Sequence, residues 1–335
     1  MTLICMLIAL IIERLAVRSQ PWQWLSYVRP YLRMSERGVL ASLQQHAYGV
    51  FLWWLLPALL VTVVLALADF WLLTLVVNTL VLLVCIGCWH YRQLYKQYLN
   101  AQARGDQQAA FLVMQQIRQQ AGISSAELSH GQQLVWLNFK YYAAVLFWFA
   151  LLGAFGAIAY ATLRQLAEPA TYLPEAAPAT ATVQAETETP VTTAAASSSQ
   201  DALHEASHEV PSHDATTTAE PQQVVAEETP AAQYLRTVAQ DLSHLADWLP
   251  ARLFGVGFAL VGHFSKASAS LLSYAADLTT PAEQVLTEVA QAAEPFALEQ
   301  TNCSDESCSL VQLAKRNILF FLALVAVLTL SGLLS

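Results

Sequence analysis

Long uncharged runs dominate the pattern of apolar and polar positions. A helix covers the hydrocarbon core of a bilayer with about 20 apolar residues. Tyr48 to Ala68, Phe70 to Trp89 and Tyr141 to Leu163 meet that length without one charged side chain, and Ile318 to Leu334 is shorter but equally uninterrupted. Only Asp69 separates the first two runs, which predicts a tight antiparallel hairpin turning at the far membrane surface. Two further stretches fall short. Thr2 to Ile12 has no basic leader and no small-residue cleavage site, so it reads as a retained anchor and not as a signal peptide. It runs into Glu13 and Arg14, a pair at the membrane boundary where Arg can snorkel. Leu253 to Phe264, bracketed by Arg252 and Lys266, reads as a short tilted span or a re-entrant segment. The pattern predicts an all-α polytopic helical membrane protein with four firm spans plus two short hydrophobic segments.

Between the runs the period changes. Residues 91 to 140 predict two Gln-rich helices broken near Gly105 and Asp106, the first carrying Leu94, Tyr98 and Leu99, the second Phe111, Met114 and Ile117. Gly122 ends the second, and a third amphipathic turn enters the membrane at Trp136. The expectation is a helical hairpin packed beneath the bundle, with a partner-binding surface as the alternative. From Pro169 to Ala231 there are seven Pro and ten acidic residues, no Lys, Arg or Gly, and Tyr172 as the lone aromatic. Such a sequence buries too little apolar surface to offset its conformational entropy and predicts a disordered, extended tether. Helical spacing returns with Leu235, Val238, Leu242, Leu245 and Leu249. The division expected is an N-terminal anchor and basic segment (1–47), a transmembrane hairpin (48–90), a helical region (91–140) and a transmembrane helix (141–163). An acidic insert (164–233), a helical region containing the short segment 253–264 (234–316) and a last transmembrane helix (317–335) follow.

Composition agrees with this reading. Of 335 residues 56% are hydrophobic and 12% charged, against about 25% charged in a soluble domain, which excludes an ordinary globular protein. The net charge is −9, yet ten of the sixteen bases precede residue 141. Arg14, Arg18, Arg29, Arg33 and Arg37 lie in 13–47, and Arg92, Lys96, Arg104, Arg118 and Lys140 in 91–140. Both segments are therefore expected on the cytoplasmic side. Tyr141 to Leu163 would then cross outward and leave the acidic insert outside, in a multi-pass protein of the bacterial inner membrane. Nothing is basic and aromatic enough for nucleic-acid binding.

Four motif-like patterns carry less than they promise. His204-Glu205-Ala206-Ser207-His208 has the zinc-protease spacing, but Ser, Thr, Pro and Ala flank it and Pro211 follows, so no amphipathic helix presents it. No metal site and no cofactor are expected. Gly257 and Gly262 have phosphate-loop spacing, yet His263 and Phe264 stand where Lys and a hydroxyl residue are required. Glycines there let helices approach closely. Cys85 and Cys88 read as small buried hydrophobes inside a span. Cys303 and Cys308 sit in an acidic loop and, if that loop is extracytoplasmic, are candidates for a local disulfide.

Several separated blocks carry a family resemblance. These are Met1-Thr2-Leu3 with Leu10-Ile11-Ile12-Glu13-Arg14-Leu15, the run Leu134 to Tyr142, Leu146-Phe147-Trp148, and Asp247 to Leu253 continuing through Leu260-Val261-Gly262-His263. In this order, and each at a predicted membrane boundary, they resemble the AmpE family. The resemblance implies an inner-membrane regulatory signalling modulator linked to β-lactamase regulation and cell-wall stress, with no catalytic residue established. It also implies the lipid bilayer as surroundings and a protein partner in cell-wall recycling or the β-lactam response. The long insert departs from the family pattern. A fainter likeness, through Asn138, Ala144 to Trp148 and Trp248 to Leu253, is to membrane-bound adenosylcobinamide-phosphate synthases. The acids expected around that Asn are missing, because Gln132 to Phe147 contains no Asp or Glu.

The candidate functional cluster is Glu13, Arg14, Asn138, Asp247, Arg252 and His263, expected to converge at one membrane surface. Each residue also has an ordinary reading. Glu13 and Arg14 form a boundary pair, Asn138 and Lys140 are interfacial anchors, Asp247 and Arg252 pair across a Trp-Leu-Pro turn, and His263 is a hydrogen-bonded structural residue. The function expected is a regulatory membrane modulator, with a membrane-bound ligase or transferase, or a non-catalytic scaffold, as alternatives.

Overall fold

The computed structural model describes residues 2–15, 22–35, 47–67, 70–123, 128–172, 230–274, 277, 279–294 and 303–333. The acidic insert between Tyr172 and Pro230, with its His204 to His208 pattern, lies outside the described residues. Every regular element described is helical: α1 (Thr2–Leu15), α2 (Leu25–Ser35), α3 (Ala47–Leu67), α4 (Trp71–Cys85), α5 (Trp89–Ala103), α6 (Gln107–Ala121) and α7 (His130–Asn138). A π-helical turn (Phe139–Ala143) joins α7 to α8 (Ala144–Ala167), and α9 (Pro230–Val261), α10 (Phe264–Tyr274), α11 (Ala282–Ala293) and α12 (Cys303–Leu330) follow.

Local sequence explains the polar helices well. Asp106 caps α6 by accepting from the Ala109 amide, and Gly122, at φ 65°, ends it in the left-handed conformation. Ser129 and Gln132 form a reciprocal capping box at the start of α7. Leu94, Tyr98, Met114 and Ile117 are buried between α5 and α6, as the spacing predicts, whereas Leu99 and Phe111 face outward.

The apolar elements are shaped differently from the expectation. Gly49–Leu67 and Glu306–Leu330 are long and apolar enough to cross a membrane, and His130–Ala167 meets the same test by its length and composition alone. The run Phe70 to Trp89 is not one straight span: α4 ends at Cys85, and α5 leaves at 44° to it. Gly87 sits in that break, where a Cβ would stand 2.3 Å from the Trp22 carbonyl oxygen. Cys85 and Cys88 flank it as buried cysteines outside any disulfide.

Tyr141 to Leu163 departs further. At Gly153 the backbone adopts φ 62° and ψ −145°, and the helix folds back on itself. In an unbroken helix Lys140 and Arg164 would be about 36 Å apart. Instead the Arg164 guanidinium donates to the Lys140 carbonyl at 3.1 Å, and Tyr141 donates to Glu168 at 2.9 Å. A Cβ on Gly156 would meet the Trp148 carbonyl at 2.3 Å, so the arms touch backbone to backbone near the tip. The predicted single outward crossing is therefore a hairpin whose two ends lie together. The predicted insert boundary at 164 also moves, because Arg164, Gln165, Glu168 and Thr171 are buried in the fold.

This hairpin is the centre of the described helices. Its arms are covered by α1, α3, α4 and α9, and the large side chains it exposes are Leu151 and Leu152 at the tip. α1 runs parallel to α4, with Cys5 beside the Leu75 carbonyl and Glu13 on Arg92 beyond the end of α4. α9 continues as helix through Pro250 instead of turning there. Its glycines serve close approach, as expected: Gly257 meets Asn317 of α12, and Gly262 meets Ala293 of α11.

Candidate functional site

The base of the central hairpin holds a buried polar network. Its starting point is the π-helical turn, a wide turn of a kind that recurs at functional sites. Consecutive residues in it serve different clusters: Lys140 and Tyr141 face the second arm, and Tyr142 faces α1 and α5.

The first cluster surrounds Glu168, which follows the last turn of α8 and is 1% exposed. Its carboxylate accepts from Tyr141 at 2.9 Å, from Gln165 at 2.9 Å and from Tyr91 at 3.4 Å, with the Lys140 ammonium at 3.7 Å. Arg164, one turn earlier, donates to the carbonyls of Lys140 and Cys85, both at 3.1 Å, and lies 3.9 Å from the centre of the Tyr141 ring. Backbone carbonyls and an aromatic face hold this guanidinium, while its Nε has no hydrogen-bond partner.

The second cluster joins α1 to the same base. Glu13 takes Arg92 at 2.6 Å and the Tyr142 hydroxyl at 2.7 Å. Tyr142 also contacts the Cys88 thiol at 3.2 Å and accepts from Arg92. The third contact comes from α9, where Asp247 accepts from Tyr160 at 2.6 Å. Tyr160 lies one helical turn before Arg164. Burial pushes the Asp247 carboxyl up to about 6, opposed by the Tyr160 hydrogen bond and by the positive charges of Lys140 and Arg164.

The six candidate residues fare differently. Glu13 and Asp247 enter the network. Arg14 is exposed, since adjacent helical positions point about 100° apart and only one can face the core. Asn138 lines a small, mostly apolar cleft with Val135, Phe139, Phe254, Phe258 and Asn317. Arg252 does not pair with Asp247. It stacks 4.4 Å from the Trp248 ring centre and donates to the carbonyls of Tyr274 and Asp277, holding the end of α10. His263 is exposed at the break between α9 and α10, its amide bonded to the Ala293 carbonyl at 2.7 Å. Sequence reading missed Tyr91, Arg92, Tyr141, Tyr142, Tyr160, Arg164, Gln165 and Glu168. An available signal was the spacing of Arg164 and Glu168, one helical turn apart directly after an apolar run.

The disulfide expectation fails. Cys308 is a free, exposed thiol, and it shares α12 with Cys303, five residues away. Helix geometry separates such Cα atoms by about 8.7 Å, beyond the reach of about 7 Å. Among the described residues no three His, Cys, Asp or Glu side chains are grouped to hold a metal ion.

What the network offers chemically is proton handling in a dry setting. Three buried carboxylates, an ammonium and four tyrosine hydroxyls lie in three hydrogen-bonded clusters about the hairpin base, and ionisable groups beside or within a membrane bundle mark functional positions.

Comparison with known proteins places this arrangement in context. The family model described as "Regulatory signalling modulator protein AmpE" matches residues 1–187 and 214–335. "Protein AmpE" of Shigella flexneri is 26% identical over 350 aligned positions, covering 99% of both chains. No solved structure matches.

Proposed function

The chain belongs to the AmpE family of regulatory signalling modulators, and on that premise we propose that it modulates β-lactamase regulation under cell-wall stress as a multi-pass protein of the bacterial inner membrane. The observation that carries this reading is the family match, which includes every residue of the buried network. Apolar helices of crossing length support the membrane location. The network links α1, the hairpin and α9, so it is suited to couple their positions, as a modulator with more than one state requires. The test is β-lactamase induction by a sub-inhibitory β-lactam in four strains: wild type, a non-polar deletion, and the deletion complemented with wild type or with Glu168→Gln. The expected result is an induction curve altered by deletion, restored by wild type and not by Glu168→Gln at equal membrane abundance. An unchanged curve in the deletion strain overturns the reading.

A second reading, a membrane-bound ligase or transferase, is favoured by one observation. The acids missing from Gln132 to Phe147 are supplied in space, Glu168 to Tyr141 and Asp247 to Tyr160, beside Lys140. Carboxylates so placed suit general acid and base work. This reading expects a precursor to accumulate in extracts of the deletion strain and to be consumed by purified wild-type protein but not by Glu168→Gln. Identical extracts overturn it.

A further inference from the structure

The chemistry of exposed side chains along α12 locates the membrane boundary. Gln312, Lys315 and Arg316 are exposed polar residues, and from Leu319 onward the exposed large residues are Leu319, Val327 and Leu330. The change falls at Asn317, which lines the same cleft as Asn138. From Asn138 the first arm of the hairpin climbs 14 residues to Leu152, at most about 21 Å of helix, whereas the hydrocarbon core is about 30 Å thick. The tip therefore stops short of the far surface, and the second arm returns to Arg164 beside Lys140.

Other elements agree on which surface the base occupies. Arg14 at the end of α1, Arg92 and Lys96 on α5, Arg104 in the following turn, and Lys315 and Arg316 on α12 are all exposed on the base side of the bundle. The start of α9 is there too, since Ala239 packs in one cluster with Val28, Leu166 and Ala167. Phe70 lies at the opposite end, where α4 begins. Clustered Lys and Arg mark the cytoplasmic side.

We infer that residues 139–168 form a re-entrant hairpin entering and leaving the bilayer by the cytoplasmic face, so that Tyr172 and Gln233 share the compartment of Gly105. The polar surface of the described residues, α2, α5, α6 and the starts of α7, α9 and α12, is gathered on that face. The far side offers short apolar ends. This inference rests on geometry and on basic-residue placement, independently of the β-lactamase reading, so either can fail alone.

The test is single-cysteine labelling of the full chain with a membrane-impermeant maleimide, in a background with the native cysteines replaced, at Phe70, Gly105, Tyr172 and Gln233. In intact spheroplasts Phe70→Cys is expected to label, while Gly105→Cys, Tyr172→Cys and Gln233→Cys stay at background until the membrane is permeabilised. Labelling of Tyr172→Cys or Gln233→Cys in intact spheroplasts, with Gly105→Cys protected, overturns the hairpin. Labelling of all three with Phe70→Cys protected overturns the cytoplasmic assignment. Tyr172 bonds the Leu166 carbonyl, so its variant can fail to fold; Gln233 is exposed and carries the result alone. If the cysteine-free chain does not accumulate, a protease site inserted after Gln233 in the native chain gives the same reading. Cleavage is then expected only in inverted vesicles, and cleavage in intact spheroplasts overturns the inference.

Discussion

Two helical hairpins of this molecule turn at a glycine with positive φ, Gly105 at 74° and Gly153 at 62°, and nothing within 4 Å would obstruct a Cβ at either. Around the turns everything differs. The α5–α6 hairpin has one buried and one solvated face on each helix, and Asp106 beside the turn caps the next helix. The α8 hairpin is apolar along both arms, enclosed by other helices, and keeps its charge at the base. A turn in water must satisfy its backbone with local polar residues, which leaves a mark in the sequence. A turn at an apolar tip leaves only a glycine.

The largest difference is expected at the buried base. Glu168→Ala leaves Lys140 as an uncompensated buried charge and strips Tyr91, Tyr141 and Gln165 of their acceptor, at a cost of about 3–5 kcal/mol. Thermal unfolding in detergent checks this; a loss no larger than that of an exposed α6 variant breaks the comparison. Replacing Lys140 by Met in the same chain should recover part of the loss.

Next is the pH dependence at Asp247. Its carboxyl titrates in the fold at about 6, above the ordinary 3.8. The protonated form is thus favoured by folding, and that contribution is full below about 4 and lost as pH rises through 6. Two pKa units correspond to about 3 kcal/mol. Asp247→Asn keeps an acceptor for Tyr160 and removes the charge. It should match wild type at pH 4 and be the more stable at pH 8, and an unaltered pH profile would exclude this account.

The smallest effect separates the two turns. The backbone region of Gly153 is nearly exclusive to glycine, so Gly153→Ala should cost about 1–3 kcal/mol. Gly105→Ala, in a left-handed but commoner conformation, should cost about 1 kcal/mol. Equal costs, read from melting temperatures, would mean the central tip relaxes freely.

These contrasts also mark what was legible in the chain. Membrane helices, the Gly122 end of α6, the break at Gly105 and Asp106 and the family relation were readable, because period, end-capping glycine and motif blocks are local. The Gly153 reversal was hidden, since hydropathy sums along the chain and cannot distinguish one long apolar helix from two short ones laid side by side. With it went the buried base. Arg164 and Glu168 both fell within the stretch assigned to the acidic insert (164–233). Arg14, adjacent to Glu13, shows the limit of neighbourhood as evidence, for one of the pair is buried and the other is not.

The π-helical turn at Phe139–Ala143 has one more consequence. By accommodating an additional residue in a single turn it delays the rotation of the helix, so every position from Ala144 onward is out of phase with α7 by about one residue. The molecule thus carries two superposed helical readings on one continuous rod. Removing one residue there would turn the whole first arm, Val145 and Phe149 included, away from the neighbours it now meets.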